Sequence, residues 1–195
     1  MYSQNNEEKI ITDYFAGRTG KFIDIGAYDV FRLSNTRRLV ELGWSGVLVE
    51  PDPLNYASIA NHYTGSELIS VLNFAVGNSN DDLTFYSSGG DAVSTSVEEH
   101  KTKWEKGGVN YKQITVPQMH AADFMEKYGK DVIFLSIDTE ATNIQLFNAI
   151  PDWVWQQVEM LCIEHDNCIV EIVGKLSAFG FETKHINAEN IILAK

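Results

Sequence analysis

The chain has 195 residues, of which 44% are hydrophobic and 22% charged, a composition sufficient for one domain with a sizeable core. Its net charge of -12 at pH 7 disfavours binding to nucleic acid, whose backbone attracts basic surfaces. Cys162 and Cys168 alone make neither a disulfide framework nor a zinc site, and no segment approaches the roughly 18 apolar residues of a membrane helix, so we expect a cytoplasmic protein that stays out of membranes.

From the N-terminus, predicted helices and strands alternate. The segment NEEKIITDYF places apolar side chains at positions 10, 11, 14 and 15, which form one face of a helix. It is followed by a strand at KFIDI, a helix at SNTRRLVELG with Ser34 or Asn35 as N-cap, a strand at SGVLVE, a helix at PLNYASIANHY and a strand at ELISVLNFAVG. This order with short connections predicts right-handed crossovers and a parallel sheet.

Residues 78–120 interrupt the alternation with two short strands, DDLTFYSS and YKQITVPQM, around a polar stretch. It resumes with helix HAADFMEKYG, strand DVIFLSID, helix NIQLFNAI, strand VEMLCIEH and helix CIVEIVGKLSAFG. Only two residues join the last strands, FETKHIN and NIILAK, so these must pair antiparallel. We therefore predict one Rossmann-like α/β domain over residues 1–195. Its mostly parallel sheet ends in an antiparallel C-terminal hairpin edge, as in class I methyltransferases.

Polar residues follow each predicted parallel strand at its carboxyl end, where open α/β sheets bind ligands. They are Asp24, Gly26, Ala27 and Asp29 after the first strand, Glu50, Pro51 and Asp52 after the second, residues 73–78 after the third, Asp138, Thr139 and Glu140 after the fourth, and Glu164, His165 and Asp166 after the fifth. The sequence therefore predicts a ligand site along this edge.

The first two strand ends favour a cationic ligand over a dinucleotide. Glu50 follows Gly26 by about the 20 residues typical of a carboxylate that binds ribose hydroxyls, although an acid at a helix start would occupy the same position. A pyrophosphate needs a glycine-rich turn, whereas Gly26 stands alone between Asp24 and Asp29, which repel phosphate. S-adenosylmethionine instead carries an ammonium, a sulfonium and a carboxylate, and the amides of residues 34–36 are placed to bind the last.

The segment FIDIGAYDVFRLSNTRRLVELGWSGVLVEPDP resembles the FkbM-type methyltransferases, whose signature is an FVDIGA-x-DG turn, a helix opened by SNT and a GW-x-G-x-x-VEP-x-P segment. FAVGNSNDDLTFY, STSVEEHKTKW, FLSIDTEATNIQLFNAI and CIEHDN are similar to later blocks of that family, so the resemblance covers about residues 20–195. It implies S-adenosylmethionine-dependent methylation, usually of an oxygen on a sugar or natural-product scaffold.

The resemblance also implies a role for each matching residue. Asp24, Gly26 and Ala27 would line the methionine end of the donor, Ser34 and Asn35 would open the helix beneath it, Glu50 would bind the ribose, Pro51 and Asp52 would flank the adenine, and Asp138 and Glu140 match the IDxEG block near the methyl group. At the first and third strand ends, Tyr28 and Ala75 complete the predicted cofactor site.

Val30 and Ala141 depart from the family pattern, which has glycine at both positions. A β-branched residue at positive φ is strained by roughly 1 to 3 kcal/mol. Either the first turn has an ordinary φ at Val30, or donor binding is weakened.

Transfer to a hydroxyl requires a group that removes its proton. The candidate bases are Asp138, Glu140, Glu164 and His165, although a hydrogen-bonded structural histidine explains His165 equally well. Asp138, Glu164 and Asp166, with Glu140, are also candidate ligands for Mg²⁺, which would bind and acidify a sugar diol. Solvated strand ends are the alternative explanation of these acids.

Residues 78–120 are predicted to cover the ligand mouth as a lid, in which Ser94, Thr95, Lys103 and Trp104 would contact a sugar or anionic acceptor. A solvated excursion anchored by Trp104 is the alternative.

Three hypotheses on the function of the protein follow. The first, which the sequence favours, is a small-molecule or glycan O-methyltransferase. The second is an RNA methyltransferase, supported only by lysines and aromatics of this segment. The third is a donor-binding module that has lost catalysis.

Overall fold

Eight helices and eleven strands make up the structure, a computed structural model that describes residues 1–195. The helices are α1 Glu7–Phe15, α2 Arg37–Glu41, α3 Pro53–His62, α4 Glu98–Glu105, α5 Ala121–Tyr128, α6 Asn143–Ala149, α7 Asp152–Gln157 and α8 Ile169–Ser177. The strands are β1 Lys21–Ile25, β2 Ser45–Val49, β3 Ile69–Leu72, β4 Ala75–Gly77, β5 Leu83–Ser87, β6 Lys112–Val116, β7 Gln118–His120, β8 Val132–Ile137, β9 Met160–Glu164, β10 Glu182–Ile186 and β11 Asn190–Ala194.

Seven strands form the main sheet in the order β10, β11, β9, β8, β1, β2, β3. The pairs among β3, β2, β1, β8 and β9 are parallel, whereas β11 runs antiparallel to both β9 and β10. This confirms the predicted fold class, including the hairpin edge. Strand order reverses between β1 and β8, and in an open α/β sheet the carboxyl ends at such a reversal form the ligand crevice.

Gly26 permits the close approach of β1 and β8 at this crevice. Its φ is +86°, and a Cβ there would lie 1.6 Å from the backbone oxygen of Asp138. The Asp138 N–H donates to the backbone oxygen of Ile25 at 2.9 Å. Any larger residue would push the two strand ends apart, so the glycine of the DIGA sequence is a packing requirement.

The sheet buries a different apolar cluster on each face, because successive strand residues point to opposite sides. Ile23 and Ile25 of β1 belong to a cluster of 24 buried residues. Phe22 of the same strand belongs to a second cluster of 15 on the other face. Asp24 follows Phe22 on that second face and is only 5% exposed, which makes it an acid set into the edge of an apolar layer.

Five predicted regions differ in the structure, one of which is the run YKQITVPQM, divided at Pro117 into β6 and β7. The run ELISVLNFAVG divides at Asn73, whose side chain donates to the backbone oxygens of Glu50 and Pro51, and β4 leaves the main sheet to pair with β7. Helix α2 begins at Arg37, later than predicted. Helix α4 was missed because it buries no residue and therefore has no apolar face, and α7 was missed because it has only six residues. No helix has the length and apolar character needed to span a membrane.

Candidate functional site

A cavity of about 290 Å³ opens at the carboxyl ends of β1, β2 and β8, partly covered by residues of the 78–120 insertion. This volume is close to the lower end of the range of small-molecule sites, roughly 300 to 1,000 Å³. Ten of the eleven predicted cofactor residues line it, namely Asp24, Gly26, Ala27, Tyr28, Ser34, Asn35, Glu50, Pro51, Ala75 and Asp138. The exception is Asp52.

The backbone amides of the turn after β1 are already engaged within the protein. The N–H groups of Gly26 and Ala27 both donate to the backbone oxygen of Val49, at 2.9 and 3.1 Å. The N–H of Tyr28 donates to Glu50 Oε2 at 2.8 Å. Since phosphate binding at such a turn relies on free amides, this geometry disfavours a pyrophosphate.

Glu50 is a buried carboxylate at the end of β2, with an exposure of 4%. Its Oε1 accepts from the Asp52 N–H at 2.7 Å and its Oε2 from the Tyr28 N–H, so the side chain is fixed. Each carboxylate oxygen can accept a further hydrogen bond from a ligand. Burial raises the pKa of Glu50 to about 7, although the two N–H groups favour its ionised form.

Asp24 lies deeper, where its Oδ2 accepts from Thr36 Oγ1 at 2.6 Å. Burial raises the pKa of Asp24 to about 6, and hydrogen bonds from Thr36 and Ser136 oppose this shift. Ser34 Oγ accepts from the Arg37 N–H at 3.1 Å, but the N-cap position of α2 falls on Thr36, so the prediction of Ser34 or Asn35 as N-cap was wrong. The N–H groups of residues 34–36 make no hydrogen bond within the protein, and those of Ser34 and Asn35, which line the cavity, are available to an anionic ligand group.

Asp52 lies behind Glu50 instead of in the cavity. It is fully buried, its Oδ1 caps α3 by accepting from the Leu54 N–H, and its Oδ2 accepts from Ser94 Oγ at 2.9 Å. Asp52 therefore anchors the insertion to the start of α3, and the predicted adenine contact is not part of the cavity wall.

Three acids meet at the ends of β8 and β9. Asp138 and Glu140 line the cavity, and Asp138 Oδ1 is buried without a hydrogen-bond partner. The pKa of Asp138 is raised well above its ordinary value, chiefly by burial and further by the charges of Glu164 and Glu140. The pKa of Glu164 is also raised, chiefly by burial and further by the charges of Glu140 and Asp166. The carboxyl groups of Asp138 and Glu164 each affect the pKa of the other, so they form a pair that can hold one proton between them.

Asn143, which the sequence analysis missed, connects these acids. It is fully buried, and its Oδ1 accepts from the N–H and hydroxyl of Thr139 at 2.7 and 3.0 Å. Its Nδ2 donates to Glu164 Oε2 at 2.7 Å and to Asp166 Oδ2 at 3.1 Å. A single amide thus holds the ends of β8 and β9 together. Its only sequence signal was an amide at the start of a helix beside the IDTE segment.

His165 and Asp166 lie outside the cavity. His165 Nδ1 accepts from the Asn167 N–H at 3.0 Å and Nε2 lies 3.3 Å from the backbone oxygen of Asn187, so both ring nitrogens serve the local loop. These contacts agree with the alternative explanation of His165, that of a hydrogen-bonded structural histidine. No group of three or more His, Cys, Asp or Glu side chains has a metal-binding arrangement, so the predicted Mg²⁺ ligands Asp138, Glu164 and Asp166 do not form a metal site.

Of the predicted acceptor contacts, only Ser94 lines the cavity. Thr95 is fully buried, and its hydroxyl donates to the backbone oxygen of Glu140 at 2.8 Å. Lys103 and Trp104 are outside the cavity, with the lysine ammonium 5.5 Å from the Trp104 ring centroid. The insertion instead contacts Glu140 through His100 Nε2, 3.1 Å from Glu140 Oε2.

The two departures from the family pattern have different consequences. Val30 has an ordinary φ and is 7% exposed within an apolar cluster, so the turn is not strained there. The positive φ values of the turn fall instead on Tyr28 and Leu33. Ala141 does adopt a positive φ of 79°, the region that favours glycine.

The sheet order and the cavity at the end of β1 define a class I methyltransferase fold. The crystal structure of an FkbM methyltransferase from Methylobacillus flagellatus KT matches with a TM-score of 0.58 at 12% identity, over 91% of this chain and 44% of that protein. A putative caffeoyl-CoA O-methyltransferase from Staphylococcus aureus matches with a TM-score of 0.52 at 8% identity, over 100% of this chain and 84% of its own. These identities establish likeness of fold alone.

Residues 24–188 match the model of the methyltransferase FkbM domain, and the chain belongs to that family. It spans less than half the length of the Methylobacillus protein, 44%. A search of curated proteins found no match.

Proposed function

We propose that the protein is an S-adenosylmethionine-dependent methyltransferase that methylates a hydroxyl group of a sugar, glycan or small natural product. The observation that carries this proposal is the cavity at the end of β1, whose wall contains buried carboxyl groups and whose turn amides at Gly26, Ala27 and Tyr28 are bonded within the protein. Family membership supports the reaction class.

The wall of the cavity fits the chemical groups of this donor. Glu50 offers fixed carboxylate oxygens to ribose hydroxyls. Asp24 and Asp138 offer negative charge to the ammonium and sulfonium, and the free N–H groups of Ser34 and Asn35 offer hydrogen bonds to the carboxylate. Pro51 and Ala75 provide apolar contacts beside them for the adenine. When bound, the donor supplies a methyl group already activated by its sulfonium.

The carboxyl pair of Asp138 and Glu164 is the proposed proton acceptor. Because both groups have raised pKa values, the pair holds one proton near neutral pH, and the carboxylate that remains ionised can take a second proton from an acceptor hydroxyl. Asp138 is the member that lines the cavity, and its Oδ1 is free. Glu164 then acts behind it by stabilising the shared proton.

The RNA alternative gains no support from the structure. Of the four lysines that suggested it, Lys101 packs over Tyr86 and Lys103 over Trp104, and none of the four lines the cavity. Of the two departures that suggested a degraded module, Val30 has an ordinary φ, whereas Ala141 does adopt the positive φ that favours glycine.

Titration calorimetry with S-adenosylmethionine and with NAD tests the donor assignment. We expect binding of the former only, and a Glu50→Ala variant should bind it at least about tenfold more weakly, because two or more hydroxyl contacts are lost. Glu67→Ala, an exposed acid on the loop before β3, is the control and should bind normally. Equal binding by Glu50→Ala would remove the ribose assignment, and preferential binding of NAD would overturn the proposal.

A further inference from the structure

The charges on the cavity wall have one sign. Among its 31 residues there is no lysine, arginine or histidine. Six are acids, namely Asp24, Glu50, Asp82, Asp91, Asp138 and Glu140. The proposed donor adds one net positive charge, so acidic groups remain in excess when it is bound. An anionic acceptor would meet no cationic partner on this wall and several like charges.

The arginines closest in sequence to the first turn pair with acids that do not line the cavity, and the guanidinium of Arg32 also lies 5.3 Å from the ring centroid of Tyr28. Arg32 is 3.6 Å from Asp29, Arg37 is 3.5 Å from Glu41 and Arg38 is 2.9 Å from Glu41. Binding of a phosphate normally uses free guanidinium or ammonium groups. These side chains would have to leave their partners and enter the cavity to provide one.

Apart from the acids, the polar groups of the cavity wall are neutral. They include the carboxamides of Gln4, Asn35 and Gln145 and the hydroxyls of Thr139 and Thr142. Amides and hydroxyls both donate and accept hydrogen bonds, while carboxylates accept them. A sugar hydroxyl can satisfy both kinds of partner, because it donates to a carboxylate and accepts from an amide.

We infer that the acceptor is an uncharged polyol, such as a glycoside or a glycan end, which carries no phosphate or carboxylate group. This inference rests on the proposed function and narrows its substrate class. It excludes nucleotide sugars, sugar phosphates and nucleic acid as acceptors.

Labelled methyl transfer to matched acceptors tests the inference with the full chain. The panel consists of methyl glycosides of the common hexoses, the corresponding sugar phosphates and the corresponding UDP-sugars. We expect kcat/KM for at least one neutral glycoside to exceed that of its phosphorylated counterparts by at least about tenfold. Equal or faster transfer to a phosphorylated sugar would overturn the inference, as would donor binding without transfer to any neutral glycoside. Failure of the proposed function is recognised separately, by absence of donor binding in calorimetry.

A pair of charge reversals locates the effect on the cavity wall. Asp82 is exposed and lines the cavity, whereas its neighbour Asp81 is equally exposed and does not. Asp82→Lys should raise the ratio of phosphorylated to neutral transfer by about threefold or more, and Asp81→Lys should leave it near the wild-type value. Equal ratios in the two variants would show that the discrimination comes from net charge and not from this wall, which would contradict the inference.

Discussion

At the scale of single residues, Ala141 stores backbone strain beside the acids of the site. Its φ of 79° follows a φ of 52° at Glu140, so two successive side chains occupy the left-handed region. An L-residue there costs about 1 to 2 kcal/mol, whereas glycine adds about 0.4 to 1 kcal/mol of unfolded-chain entropy. We therefore expect Ala141→Gly to stabilise the protein by about 0.5 kcal/mol, as measured by urea unfolding.

The control for this change is Ala122→Gly in α5, where the backbone is helical. Glycine there should destabilise the protein by about 1 kcal/mol. If both substitutions destabilised the protein equally, the strain at Ala141 would not be real.

A glycine substitution at Val30 should lower the stability of the protein, the opposite of its effect at Ala141, although both residues stand where the family has glycine. Its side chain is 7% exposed and belongs to the second apolar cluster. Val30→Gly should therefore cost about 2 to 3 kcal/mol of stability, since it removes a buried side chain and adds chain entropy. Donor affinity by calorimetry should not improve. Tighter donor binding by the glycine variant would mean that valine does distort the turn.

A pattern along the chain was sufficient to place Asp24, Glu50 and Asp138 on the cavity wall, because each lies at the carboxyl end of a buried strand. The roles given to them stay predictions. Asp52 was misplaced because capping of α3 and the hydrogen bond to Ser94 compete for its carboxylate. Hydrogen bonds to partners distant in the chain cannot be predicted from the local sequence.

At the scale of elements, Asn143 at the start of α6 joins β8 to β9. Asn143→Ala removes the hydrogen bond that favours the ionised form of Glu164, so the pKa of Glu164 should rise further. We expect the acid limb of the pH profile of kcat to move to higher pH. Stability should fall by about 1 to 3 kcal/mol, because the Thr139 N–H loses its partner.

Asn148→Ala on the same helix is the matched control. Its side chain is exposed and donates to Glu171, far from the carboxyl pair in the hydrogen-bond network. This variant should keep the wild-type pH profile. An unchanged profile in Asn143→Ala would make Asn143 a purely structural residue.

The elements of the insertion were the least predictable from sequence. Periodicity identified its flanking strands, but the pairing of β4 with β7 brings together segments about 40 residues apart in the chain. Helix α4 has no apolar face, and its register is set by contacts such as His100 with Glu140. We expect the insertion to act as the lid of the cavity, since Ser94 anchors it to Asp52 at one side.

At the scale of the whole molecule, the sheet was predictable because its signals repeat. Each strand of the parallel part carries an apolar run between polar ends, and the two-residue connection of the hairpin allows only antiparallel pairing. The cavity depends on more than these runs. Gln4 from the N-terminal segment and Gln145 from α6 reach the same wall as β1, and only the folded chain brings them together.

The buried acids of the site also make the stability of the whole protein depend on pH. The pKa of Asp24 rises from 3.8 to about 6 and that of Glu50 from 4.5 to about 7, in both cases chiefly because of burial. The folded protein therefore binds these protons more tightly than the unfolded chain does. The stabilisation is complete below pH 4 and is lost as the pH rises towards 7, so the donor-free protein should become less stable over this interval in urea unfolding.

Binding of a cationic donor should reverse this preference. A positive charge beside Asp24 and hydrogen bonds from ribose to Glu50 favour the ionised forms, so donor binding releases protons and becomes tighter as the pH rises through about 6 to 7. Affinity should increase by up to about tenfold per pH unit for each proton released. Calorimetry at about pH 6 in two buffers of different ionisation enthalpy counts the released protons. Glu50→Gln should lose the part of this dependence that belongs to Glu50, and an affinity independent of pH in the wild-type protein would contradict a cation held by these buried acids.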